Sequence, residues 1–90
     1  MLEITPTTKF KRDLKRFKHQ PPVIQELNHV LALLIKRTSL PKNYVDHPLN
    51  GNWKGSRECH VHPDVLLIYR IDDEQSKLFL ERFGSHSELF

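Results

Sequence analysis

The chain has 90 residues, a net charge of +3, 38% hydrophobic and 28% charged residues; that suits a soluble globular protein with one two-layer core, since so short a chain buries only roughly 60 to 65% of its unfolded surface. No apolar run approaches the roughly 18 residues of a membrane span, and Met1-Leu2-Glu3-Ile4-Thr5-Pro6 lacks the basic start and apolar stretch of a secretory signal. The lone Cys59 cannot form an internal disulfide, so a single cytoplasmic domain over residues 1–90 is expected.

Leu2 to Ile4 reads as a short strand. Thr5 or Thr7 can cap the helix that follows, with Pro6 tolerated in its first turn. Phe10, Leu14 and Phe17 recur at i, i+4, i+7 and give this helix one core-facing stripe as far as about Lys18. Lys9, Lys11, Arg12, Lys15, Arg16 and Lys18 cover the rest, so the first twenty residues carry a charge of +4 and the remainder −1. Such a face is a polyanion footprint or simply a solvated surface. Pro21-Pro22 disfavours helix at Gln20, and Val23, Ile24, Leu27, Val30, Leu31, Leu34 and Ile35 then mark a second amphipathic helix that pairs with the first as a hairpin. His19 at the hinge and His29 off the apolar stripe read as surface residues without chemistry.

Residues 37–56 hold Pro41, Pro48, Gly51 and Gly55 and read as one long irregular connection, a length that in small domains is often functional. From Arg57 to His62 the chain alternates, Cys59 and Val61 on one face against Glu58, His60 and His62 on the other. Pro63-Asp64 turns, Val65–Ile71 forms a nearly continuous apolar strand, Asp72–Ser76 turns again and Lys77–Phe83 returns, giving a meander.

Four of the six histidines, His47, His60, His62 and His86, lie in this second half with Asp64, Arg82 and Lys54. Imidazole exchanges protons near neutral pH, at an unperturbed pKa of about 6.5. If the strands are neighbours, histidine, aspartate and arginine supply a base, an acid and a cation, the parts needed to cut RNA without a metal. A tetrahedral zinc site on His60 and His62 with His47 or Asp64 is the rival reading, weakened by the absence of a Cys-x-x-Cys pair. Cys59 points inward and reads as a small core residue. Trp53 fits either a base-stacking platform or a cap on the core.

The segments Asp46-His47-Pro48-Leu49-Asn50-Gly51-Asn52-Trp53-Lys54-Gly55, Arg57-Glu58-Cys59-His60-Val61-His62-Pro63-Asp64 and Arg82-Phe83-Gly84-Ser85-His86-Ser87-Glu88-Leu89-Phe90 resemble, in order and spacing, the YafQ-like branch of the RelE/ParE toxin superfamily. The resemblance implies an α+β domain in β-α-α-β-β-β order, with two N-terminal helices on one face of a mostly antiparallel four- or five-stranded sheet and the active site on the other. It implies a toxin of a type II toxin–antitoxin system that cuts mRNA, usually in the ribosomal A site, and is silenced in a hetero-oligomer with a cognate antitoxin. By likeness His47, His60, Asp64, Arg82 and His86 are the expected catalytic residues. His86 is the candidate acid; His47, His60 or Asp64 is the base; Arg82 holds the scissile phosphate. Lys54, Arg57 and Phe90 are expected to bind the substrate, with no cofactor and no membrane. Val65 stands where the family's best-known member carries an aromatic residue. The competing class is a non-catalytic binding member of the same fold, for which the histidine and aspartate set would be unnecessary.

Overall fold

The first and last strands of the chain lie side by side. In the computed structural model, which describes every residue from Met1 to Phe90, β1 (Glu3–Pro6) runs parallel to β5 (Lys77–Gly84), with Glu3 opposite Lys77 and Pro6 opposite Leu80. The remaining pairs are antiparallel: β5 with β4 (Val65–Asp72), β4 with β3 (Arg57–His62), and β3 with β2 (His47–Pro48). The sheet order is β1-β5-β4-β3-β2, an α+β arrangement as expected from the sequence.

Helices α1 (Thr8–Lys15) and α2 (Pro21–Ile35) cover one face. Thr7 caps α1 by accepting from the Phe10 amide at 3.2 Å, while its own hydroxyl donates to the Leu80 carbonyl at 2.9 Å. The cap therefore also fixes the helix to β5. The regular helix stops at Lys15, earlier than the apolar spacing suggests, because the chain tightens into i−3 bonds at Arg16 and Phe17 before Gln20 meets Pro21. Phe17 still reaches the core and meets Phe83 edge-on at 5.0 Å.

Strand alternation divides the buried residues into two sets. Cys59, Val61, Leu67, Tyr69, Leu78, Leu80 and Phe83 join Phe10, Phe17, Val23, Leu27, Val30 and Leu34 in the main core under the helices. Leu66 and Ile68 face the other way, into a small apolar floor with Leu89, Leu49 and Trp53. Two features escaped the periodicity. The connection after α2 contains a 3-10 turn at Lys42–Tyr44, the two-residue strand β2 and a second 3-10 turn at Gly51–Trp53. The chain also ends in a short helix, α3 (His86–Leu89), held by a reciprocal capping box between Ser85 and Glu88.

Candidate active site

Register lines up four side chains across the open face. His47 on β2 opposes Glu58 on β3, Glu58 opposes Ile68 on β4, and Ile68 opposes Arg82 on β5. The adjoining row places His60 opposite Leu66 and Leu66 opposite Gly84. A register shift between Ile68 and Tyr69 leaves Glu81 as an extra residue on β5. Its carboxylate accepts a hydrogen bond from the Ser56 hydroxyl.

Glu58 lies between two imidazoles. Its Oε1 is 3.5 Å from His47 Nε2 and 4.0 Å from His60 Nε2, and its side chain is only 7% exposed. The other nitrogen of His47, Nδ1, is 2.7 Å from the Val45 carbonyl. A carbonyl can only accept, so Nδ1 carries the proton, and the Nε2 side attracts the Glu58 carboxylate only when a further proton sits on that ring or on the carboxyl. Val45 reaches this position with φ of 51°, a left-handed conformation that costs a β-branched residue about 1–3 kcal/mol and recurs at functional sites. Sequence reading passed over Glu58; its signal was the two-residue spacing to His60, which puts both on the open face.

Arg82 is held rather than free. Its Nε and Nη2 donate to Asp13 at 2.7 and 3.2 Å, and the Phe83 amide donates to the same carboxylate at 3.0 Å. Asp13 is buried. Burial pushes its carboxyl up, but the hydrogen bonds from Arg82 and Phe83 and the charges of Arg82 and Arg16 outweigh it and hold the group below the usual range. The same pairing raises Arg82, so this guanidinium stays charged throughout.

Over the apolar floor, the exposed His86 ring lies 4.9 Å from that of Phe90, whose centroid is 6.4 Å from Trp53 at 70°. Lys54 is exposed next to Trp53, at the end of the second 3-10 turn.

Two expected site residues, Arg57 and Asp64, lie away from the His47–Glu58–His60 group, and His62 parts from it as well. Arg57 pairs with Tyr69 on the helix side of the sheet and donates to Asp46 through Nε and Nη2 at 3.3 and 3.1 Å, while the Tyr69 hydroxyl donates to Asp46 at 2.6 Å. The strand alternation that puts Cys59 inward puts Arg57 on the same side. His62 parts from His60 because the β3–β4 register shifts between them, so it opposes the core residue Val65. Asp64 is exposed in the turn, and with His62, Arg16, Ser85, Ser87 and Glu88 it lines an open cavity of about 620 Å³ at the end of the sheet. Cys59 is fully buried, and burial pushes its thiol up to about 12. No three histidine, cysteine, aspartate or glutamate side chains converge to hold a metal ion.

The family model for bacterial YafQ toxins of type II toxin–antitoxin systems matches residues 2–90. The chain is 39% identical over 89 residues to the mRNA interferase toxin YafQ of Escherichia coli (strain K12), covering 98% of this chain and 95% of that protein. A metal-bound toxin from Helicobacter pylori superposes with a TM-score of 0.92 at 44% identity over 100% of both chains. A chain of the E. coli DinJ–YafQ complex superposes at 0.87 with 37% identity, covering 100% of this chain and 99% of that one. This chain belongs to the YafQ family of toxins of type II toxin–antitoxin systems.

Proposed function

We propose that this protein is the toxin of a type II pair and an endoribonuclease that cuts mRNA in the ribosomal A site by acid/base catalysis, acting in the cytoplasm until a cognate antitoxin binds it. The observation that carries this reading is the row of His47, Glu58 and Arg82 across the open face, which sets paired imidazole and carboxylate groups about two strand spacings, roughly 10 Å, from a fixed cation. The His47–Glu58–His60 group takes the 2′-OH proton as the 2′ oxygen attacks phosphorus. Arg82 offsets the charge that develops on the phosphate oxygens, and His86 protonates the departing 5′ oxygen as its bond to phosphorus breaks. Phe90 and Trp53 give the bases an aromatic surface, and Lys54 gives the backbone a cation. The products are a 2′,3′-cyclic phosphate and a 5′-hydroxyl.

The metal-bound relative from H. pylori raises a metal reading. The donors here do not fit it: Glu58 turns its carboxylate onto the two imidazoles at 3.5 and 4.0 Å, and these three side chains do not converge on one point where an ion could sit. Cleavage of a ribosome-programmed message in EDTA, with the product ends analysed, tests the proposal. Undiminished cutting that leaves a cyclic phosphate supports it. Cutting abolished by EDTA and restored by zinc would falsify it.

A further inference from the structure

The six cations between Lys9 and Lys18, on α1 and the turn that follows it, fall into two stripes. Lys11, Lys15 and Lys18 surround an apolar patch made by Leu14 and Ile24. Lys9, Arg12 and Arg16, spaced i, i+3 and i+7, instead surround Asp13 and Arg82 in a cavity of about 210 Å³ with no hydrophobic residue in its lining. Asp13, the one carboxylate there, is fully committed to Arg82 and the Phe83 amide. Lys9 and Arg12 are exposed and have no ion-pair partner. Arg16 pairs only with Glu88, at 3.0 Å in an exposed contact that an incoming anion displaces at little cost. Arg82 uses two of the five N–H groups of a guanidinium on Asp13 and keeps the rest.

We propose that Lys9, Arg12 and Arg16 form a second phosphate-binding subsite next to Arg82, taking a neighbouring phosphodiester of the RNA strand whose scissile phosphate Arg82 holds. This rests on the reading of the open face as an RNA-cutting site. The ligand class follows from the lining: a bound acidic protein segment needs apolar burial besides charge, which this cavity lacks and the lysine stripe has. A phosphate needs only cations and donors, and arginine forks match its oxygens. Continuity follows from Arg82, which belongs both to this cavity and to the catalytic row. Asp13 neutralises one charge and fixes the arginine's direction, so it is a positioning residue for both phosphates.

The test uses a single-stranded 2′-O-methyl oligoribonucleotide, which lacks the attacking hydroxyl, with binding measured across a salt series. For Lys9→Ala/Arg12→Ala we expect roughly tenfold weaker binding at low salt and a log–log salt slope shallower by about 0.7 for each cation removed. Lys11→Ala/Lys15→Ala, on the same helix, should keep the wild-type slope. Equal losses in the two pairs, or no loss in either, would overturn the subsite, as would a loss seen with ribosomes but not with the oligonucleotide. Cleavage is scored separately. A wild-type protein that binds the strand with this pattern but cuts no message sinks the nuclease reading and leaves the subsite standing.

Discussion

His47 faces Glu58 across 3.5 Å with its far nitrogen already committed to the Val45 carbonyl. The free Nε2 edge of the ring is therefore the one turned to the carboxylate. Glu58→Gln preserves shape and removes the carboxylate. Single-turnover cleavage by this variant should fall by about 10²- to 10⁴-fold, the range typical of a lost acid/base group, with a changed pH–rate profile. A rate within twofold of wild type would remove Glu58 from the mechanism.

His86 is exposed on a one-turn helix and contributes to no core. His86→Ala should lower cleavage by roughly 10²- to 10⁴-fold while leaving the thermal midpoint where it was. His29→Ala is the control and should do nothing. Matching rates for wild type and the His86 variant on programmed ribosomes would rule out its role as the acid.

Asp13 and Glu88 tie stability to pH at the acid end. The Asp13 carboxyl is held below its reference value of 3.8 in the folded protein, and that of Glu88 is also lowered, first by the Ser85 amide and hydroxyl. Stability from a depressed carboxylate is complete above the unfolded pKa, about 4, and is lost as pH falls through the folded value. Thermal midpoints should therefore be flat near neutral pH and drop below about pH 4. Asp13→Ala, which strands Arg82, should cost about 3 kcal/mol at pH 7 in urea titrations and flatten that acid limb. An unchanged limb would show that the pair carries no linkage.

The lysine stripe is the surface suited to an acidic antitoxin segment, because Lys11, Lys15 and Lys18 enclose Leu14 and Ile24. Reversing all three to Glu should slow antitoxin association and reduce its salt dependence, as stopped-flow measurements would read. Wild-type kinetics across the salt series would make this stripe a solvated face.

Cys59 should be chemically silent. Burial and the nearby carboxylates of Asp46 and Glu58 raise its thiol to about 12, so almost no thiolate exists at pH 8. Native protein should resist iodoacetamide over hours and react within minutes in urea. Rapid labelling of the folded protein would contradict the burial.

Both long helices and the three long strands were legible because each repeats its apolar spacing for several turns or pleats. Leu2 to Ile4 was legible as a strand, but not its parallel pairing with β5, which no local spacing encodes. The strand at His47–Pro48 has too few residues for a period, yet it brings His47 to Glu58. His60 and His62 share a face by alternation, and one register shift separates them. The expected site residues fell on both faces: His47, His60 and Arg82 on the open side, Arg57 on the other. Glu58 shows why: nothing in the side chain's identity announces burial, which comes from its neighbours on β2 and β4.

The parallel pairing of β1 with β5 also sets the order in which the fold can be completed. Thr7 is tied to Leu80, and Asp13 to Arg82 and Phe83, across about seventy positions of chain. Contacts between such distant positions form late, because the loop between them must close first. During translation the N-terminal helices emerge with no partner strand to receive them, and Arg82 has no fixed direction until β5 has been made. The row across the open face is thus complete only once the last strand has been made and has received the first.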